Sequence, residues 1–329
     1  MGKVVAKTKD FSFRVGIAAL ISLLNFAVPG WAAAERVIIA YPSPSATFLP
    51  LVVAQKRGFF EHEDLQVDLV KILSGPAVSA LMAGSIDYTT SLGGTILAAM
   101  RGAPVQALAC FSSRPMEFLM GAKSIKSIND LKGKQVAVNA IGQPQHYITV
   151  EILKAVGLNP NQDVTFRAMG DETNRFQGLI VGEIQAATLG PQGAIEGKKS
   201  GLNLLVNAAD VIELPLAGIG ATKRKISENP EQIRRLLRAG LKGIRFIRQD
   251  KAGTVDVIRT WFKLDREVAA ETYDLALKAY SPDGEVKEQG IRLSMDLARM
   301  TSKFDKEISP SEVVDFTLLR RARSELGWQ

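Results

Sequence analysis

From Val37 onward, short apolar runs alternate with longer stretches in which apolar residues recur every three or four positions, the layered pattern of an α/β fold. Residues 36–41 predict a strand and Pro42-Ser43-Pro44-Ser45-Ala46-Thr47 a loop. A helix over 48–60 follows, with Leu51, Val52 and Phe59 at helical spacing. Thr47 as its N-cap puts Pro50 in the first turn, where the ring removes no hydrogen bond the helix needs. The alternation continues with strands over 65–73, 86–90 and 104–111 and helices over 77–83 and 95–101. Ser74-Gly75-Pro76 and Ser91-Leu92-Gly93-Gly94 read as the turns that open these helices, and Gly84 and Gly102 as their stops. Each strand thus feeds a small-residue loop that opens a helix, and free backbone N–H groups collect along one sheet edge.

A second α/β unit follows a polar connection over 123–131. Strands are predicted over 135–139, 164–167, 184–189 and 202–207, with helices over 147–156, opened at Gln143-Pro144, and over 172–181. The remainder is helical: Asn229-Pro230 opens a long helix to about residue 249, and helical patterns cover 254–262, 266–280, 285–300 and 311–326. If the two units face each other, the loops at their strand carboxyl ends line one cleft, the usual place for a ligand.

The front of the chain has a different character. A basic stretch to Arg14 precedes an apolar run over 15–28, then Pro29-Gly30 and Trp31-Ala32-Ala33-Ala34, the layout of a secretory signal cleaved before Glu35. The run is shorter than the roughly 20 residues that span a bilayer, so export is expected and an uncleaved anchor is the alternative. No Arg-Arg pair precedes it. The lone Cys110 lies far from this segment, which excludes a lipid-bearing cysteine at the cleavage site, an internal disulfide and a multi-cysteine metal site; its apolar neighbours make it a packing residue. The product should be a soluble exported protein, large enough for two lobes.

Of 329 residues 46% are hydrophobic and 23% charged, a globular composition. The formal charge is +7; without the first 34 residues 37 basic side chains face 33 acidic ones, too even for a nucleic-acid partner. Signatures for zinc proteases, nucleophile elbows and dinucleotide folds are absent, and the phosphate-loop lookalike Gly193-Ala-Ile-Glu-Gly197-Lys198-Lys199-Ser200 has the wrong spacing. No cofactor and no metal are expected. His62, in Glu61-His62-Glu63-Asp64, reads as solvated, whereas His146, at a helix start, reads as a ligand contact or a plain polar helix start. Arg234, Arg238, Lys242 and Arg245 form a positive stripe, read as a solvated face, with a permease or lipid headgroups as the alternative.

Several segments together carry a resemblance: Phe48-Leu-Pro-Leu-Val-Val-Ala-Gln-Lys-Arg-Gly-Phe-Phe60, Leu81-Met-Ala-Gly-Ser-Ile-Asp87, Gly102-Ala-Pro-Val105, Ile128-Asn-Asp-Leu-Lys-Gly-Lys134 and Asn229-Pro-Glu231. In order and spacing the chain resembles the nitrate/sulfonate/taurine branch of periplasmic solute-binding proteins of ABC importers, a group that includes relatives of yeast pyrimidine synthase. The resemblance implies a type II two-lobed fold with two crossing strands, near 111–120 and 214–221, and a C-terminal helical tail packed back on the first lobe. It implies ligand contacts from Ser43, Ser45 and Thr47, from Gly75 and Pro76, from Gly93, Gly94 and Thr95, from Gln143, Gln145 and His146, and from Gly190, Pro191 and Gln192. Hydroxyls and amides at helix starts suit an anionic or strongly polar solute, such as a sulfonate, nitrate, a carboxylate or a pyrimidine. Arg114, beside a crossing, is read as an anion partner or a hinge ion pair. Tyr41, Phe111, Phe118, Tyr147 and Phe176 are read as core rings rather than stacking surfaces. The implied partners are the solute and an inner-membrane permease with its ATPase, bound by a monomer. The competing readings are an enzyme related to pyrimidine synthase, although its cysteine-rich iron motif is absent, and a sensor subunit that presents ligand to a membrane kinase.

Overall fold

The computed structural model describes residues 34–302 and 307–328; the expected signal, residues 1–34, lies outside them except for Ala34. The first lobe begins with β1 (Glu35–Tyr41), a 3-10 turn over Ala46–Phe48, α1 (Leu49–Lys56), β2 (Leu65–Lys71), α2 (Ser74–Met82), β3 (Tyr88–Ser91), α3 (Leu92–Met100) and β4 (Val105–Ser112). The chain then crosses into β5 (Phe118–Gly121), β6 (Lys134–Val138), α4 (Pro144–Ala155), β7 (Val164–Ala168), α5 (Glu172–Ile180), β8 (Ala186–Leu189), α6 (Pro191–Lys199), β9 (Asn203–Asn207) and α7 (Ala208–Val211). It returns in β10 (Ala217–Thr222) and ends in α8 (Lys223–Glu228), α9 (Pro230–Gln249), α10 (Lys251–Phe262), α11 (Arg266–Ala276), α12 (Glu288–Ser302), α13 (Pro310–Val313) and α14 (Thr317–Glu325). Among the described residues no helix is long and apolar enough to cross a membrane.

Two five-stranded sheets result, ordered β2-β1-β3-β10-β4 and β7-β6-β8-β5-β9. In each, the fourth strand is antiparallel to its neighbours, and it is the strand laid down by a crossing: β10 after the return, β5 after the departure. Strands buried on both faces read as continuous apolar runs; β8, Ala-Ala-Thr-Leu, is wholly buried, as are nearly all of β4 and β10. The two crossings are bonded to each other: Leu214 N–H donates to Ser113 O at 2.8 Å, Leu216 N–H to Ser112 O at 3.0 Å, and Ala208 N–H to Glu117 O at 2.9 Å.

Each lobe has its own core. Ile39, Tyr88, Leu108, Phe111, Leu236 and Leu241 belong to the first, and Phe118, Val136, Leu153, Ile184 and Leu189 to the second. A third core joins α1 to α9, α10 and α11 through Leu49, Val52, Ile247, Ile258 and Tyr273. Gly243 lets α9 approach α1, because a Cβ there would collide with the Pro50 carbonyl.

Three readings need correction. The positive stripe on α9 is not simply a solvated face: Arg234, Arg238 and Lys242 are paired within the chain, and only Arg245 is exposed. Glu63 accepts from Arg238 Nε at 2.8 Å and from Lys242 Nζ at 2.6 Å, Arg234 and Arg238 both pair with Glu325, and Arg245 lies 4.6 Å from the Trp328 ring centre. Burial raises the Glu63 pKa, but these two cations outweigh it and hold the carboxyl below its ordinary value. Second, the tail touches both lobes: Lys199 of α6 pairs with Glu271 at 3.3 Å and Glu267 at 3.6 Å on α11, and Leu275, Leu293 and Leu297 pack against the second core. Third, the 311–326 pattern is two helices, because Asp315 N–H donates to Ala107 O at 2.9 Å and draws the chain to the edge of β4.

Candidate ligand-binding site

A cavity of about 520 Å³ lies between the lobes. The first lobe lines it with Pro42, Pro44, Ser45, Thr47 and Phe48 after β1, with Ser74 and with Ser91. The crossings contribute Pro115, Met116, Glu117 and Leu216, the second lobe Ile148, Gly190, Pro191 and Gln192, and the tail Phe262, Leu264 and Thr272.

The loop after β1 is held from several sides. Ser45 rather than Thr47 caps the helical turn: its Oγ accepts from Thr47 N–H at 3.3 Å and donates to Thr47 Oγ1 at 3.1 Å. Ser112 Oγ donates to the Thr47 carbonyl at 2.5 Å, and the buried Tyr280 hydroxyl donates to Ala46 O at 2.8 Å. Pro50 sits in the first turn of α1, as its chemistry requires.

The next two helix starts lie earlier in sequence than predicted. α2 begins at Ser74 and α3 at Leu92, so Gly75, Pro76, Gly93, Gly94 and Thr95 are inside helices; glycine and proline in a first turn lose little, since those amides have no intrahelical acceptor. The lining residues are Ser74 and Ser91 instead, and Gly94 leaves room for both. Thr95 is fully buried, donates from Oγ1 to Ser91 O at 2.9 Å, and fills the space left by Gly220.

On the second lobe, Gln145 accepts from Asn139 N–H at Oε1 (3.2 Å) and donates from Nε2 to Glu117 Oε2 at 3.3 Å. Glu117 is half-buried at the cavity wall; burial pushes its carboxyl up to about 7, with Glu172 adding to the shift and Gln145 and Arg175 opposing it. Glu172, in the first turn of α5, accepts from Gly190 N–H at 3.1 Å, and a Cβ on Gly193 would collide with its carboxylate. The start of α6 is therefore already occupied by an internal anion. The buried Arg175 donates to Gly170 O at 2.5 Å and Thr188 O at 3.3 Å.

Of the residues named from sequence, the cavity brings together Ser45, Thr47, Gly190, Pro191 and Gln192. Ser43 and Gln143 are exposed outside its lining, as are Gly75, Pro76 and Gly93. Arg114 braces the crossings, donating to Ala209 O at 2.7 Å with Glu213 at 3.9 Å. Gln145 acts one residue removed, through Glu117. His146 stacks edge-on against Phe166 at 4.5 Å and accepts from Gly142 N–H at Nδ1 (3.1 Å), which puts its proton on Nε2; burial lowers its pKa. Phe111 and Phe118 are core rings, while the half-buried Tyr41 tilts against Phe48 and Trp261. Sequence reading missed Glu117, Ser74, Ser91 and the tail residues. The signal for Glu117 was a single carboxylate in the otherwise apolar run Pro115-Met116-Glu117-Phe118-Leu119.

Among the described residues no three His, Cys, Asp or Glu side chains are grouped to hold a metal ion. Cys110 is fully buried, and burial raises its thiol pKa far above the ordinary value.

The model of a family described as NMT1/THI5 like matches residues 45–252. The chain is 27% identical over 212 residues to a riboflavin-binding protein of Chloroflexus aurantiacus, a match covering 61% of this chain and 59% of that protein. It is 28% identical over 131 residues to the 4-amino-5-hydroxymethyl-2-methylpyrimidine phosphate synthase of Legionella pneumophila, covering 39% of this chain and 40% of the enzyme. The matches therefore span less than two thirds of these relatives' lengths. Among solved structures, a periplasmic sulfonate-binding protein from Methylobacillus flagellatus aligns at a TM-score of 0.73 and 17% identity, over 90% of this chain and 96% of that one. At that identity the likeness is one of fold, the two-lobed fold of periplasmic binding proteins.

Proposed function

The chain belongs to the NMT1/THI5-like family, and on that premise we propose that it is the extracytoplasmic solute-binding receptor of an ABC importer, closing on a small organic solute and presenting it to a permease and its ATPase. The observation that carries the reading is the shared cavity: both lobes, both crossings and the tail contribute walls to it, so a solute inside is fully contacted only when the lobes are together. Phe48, Met116, Ile148, Leu216, Phe262 and Leu264 give it long apolar flanks, more than a bare inorganic ion needs. In this reading residues 1–34 are a signal removed on export, residues 35–117 with 218–329 form one lobe, and 118–217 the other. The receptor acts as a monomer in the periplasm.

The likeness to a pyrimidine phosphate synthase motivates a second reading, an enzyme. Against it, the titratable groups lining the cavity among the described residues reduce to Glu117, with His146 turned onto Phe166 and Cys110 sealed in a core. One experiment separates the two. The purified protein is equilibrated with a small-molecule extract, washed and denatured, and the released compounds are identified by mass spectrometry. A receptor returns a solute unchanged and is stabilised by it, by about 2.7 kcal/mol at one hundred times its Kd. A retained compound that is converted on standing favours the enzyme, and a folded protein that retains nothing removes the receptor reading.

A further inference from the structure

The polarity of the cavity is uneven in a way that bears on the solute. Among the described residues, Glu117 is the one charged side chain in the lining, and no Lys, Arg or His is part of it. Its Oε2 is held by Gln145 Nε2 at 3.3 Å, while its Oε1 accepts no hydrogen bond from the described residues. The other polar walls, Ser45, Thr47, Ser74, Ser91, Gln192 and Thr272, are neutral.

On the second lobe the two devices that would favour an anion are both spent internally, which leaves the uncapped starts of α2 and α3 across the cleft as the anion-favouring groups, neither of them a charged side chain. The start of α6 faces the cavity through Gly190 and Pro191, but Gly190 N–H already donates to Glu172 Oε2 at 3.1 Å, and Gly193 makes room for that carboxylate. Arg175, the guanidinium of this region, lies outside the lining and donates to the Gly170 and Thr188 carbonyls. Behind the wall Glu172 and Arg175 lie close enough to Glu117 to act on its charge, and in the described lining Glu117 is the one group that can carry charge, negative when its carboxyl is ionised. A sulfonate or nitrate placed here would meet a carboxylate and no cation; an N–H donor would meet an acceptor already aimed and half desolvated.

Resting on the receptor reading, we infer that Glu117, positioned by Gln145, accepts N–H donors from the solute, so that the receptor selects a basic or N–H-donating organic solute, such as an amidine or an amino-substituted ring, over an anion of the same size. The apolar flanks from Phe48, Met116 and Ile148 suit the ring or hydrocarbon body of such a molecule. The carboxyl, raised by burial to about 7, faces Arg175 and Glu172 from α5 and the neutral Gln145 from α4, and a cationic group at Oε1 would draw it toward its ionised form.

The test uses two matched probes, benzamidinium and benzenesulfonate, titrated at pH 8 into the wild-type protein and Glu117→Gln by calorimetry and thermal shift. Wild type should prefer benzamidinium, and Glu117→Gln should bind it roughly ten- to a hundredfold more weakly with unchanged far-ultraviolet dichroism. Tighter binding of benzenesulfonate by wild type, or equal benzamidinium affinity in folded Glu117→Gln, overturns the inference. The wild-type preference decides the matter even where the variant does not fold. The extract-capture experiment separates the two levels: a retained solute without N–H donors sinks this inference and leaves the receptor standing. A folded protein that retains no solute and binds neither probe takes both down.

Discussion

The two walls of the cleft differ more than the lobes that carry them. Both lobes use the same strand order, with one antiparallel strand in fourth place, and both bring helix starts to the cavity. The first lobe presents hydroxyls, from Ser45, Thr47, Ser74 and Ser91. At the crossing lies Glu117, buttressed from the second lobe by Gln145, and across the cleft a helix start already capped by Glu172. Topology repeats where a ligand sits; the chemistry at each edge is set by a few side chains that topology does not fix.

The charged cluster behind the second wall should be the most sensitive part. Arg175→Met removes donors from two carbonyls and leaves two carboxylates facing each other, and should cost about 2–4 kcal/mol in urea unfolding. A change below 1 kcal/mol would mean that the second wall is no more built than the first. The hydroxyl wall should act on affinity instead. Ser45→Ala with Thr47→Ala should weaken binding of the captured solute about tenfold with little change in the fold, while Thr95→Ala, one layer deeper, should lower stability by about 1 kcal/mol and leave affinity alone. If Thr95→Ala weakens binding as much as the pair does, the line between wall and core is misplaced.

A pH titration sharpens the contrast further, because the hydroxyls do not ionise and Glu117 does. Its carboxyl binds a proton more tightly in the folded protein, about 7 against an ordinary 4.5, so its contribution is fully present below pH 4.5 and is lost as pH rises toward 7. Relative to Glu117→Gln, the unliganded wild type should therefore lose melting temperature between those values and run parallel above and below them. A constant difference across the window would show that the carboxyl is not desolvated. The smallest effect is expected at the rim: Lys199→Ala deletes exposed ion pairs between α6 and α11 and should change affinity less than threefold, and only at low salt.

Much of the fold was legible because its elements obey local rules. The long helix α9 spans Pro230–Gln249, with its start and end where the Asn229-Pro230 signal and the 3.6-residue pattern put them. The helix starts were harder. Ser74-Gly75-Pro76 and Leu92-Gly93-Gly94 have turn composition, yet the first turn of a helix tolerates both residue types, so sequence could not say on which side of the boundary they fall. The α9 stripe misled because its counter-charges, Glu63 and Glu325, lie far away along the chain. Glu117 escaped for a related reason: a carboxylate entering a strand is unremarkable until Gln145, 28 residues later, is seen to hold it.

The pairing of Ser112 with Ala217 has a mechanical meaning. Everything between these two residues leaves and re-enters the first sheet at one spot, so the second lobe hangs as a single loop from a two-stranded stem. Rotation about such a stem sweeps distant points through long arcs and near points through short ones. Glu117 lies five residues beyond Ser112, on the stem side of the cavity, so it would travel least if the lobes parted as the receptor reading requires, whereas Gly190 and Gln192 would travel further. On the receptor reading, a solute that first met the carboxylate would be sorted by charge before the far wall arrived, and the swing that followed would add grip to a choice already made.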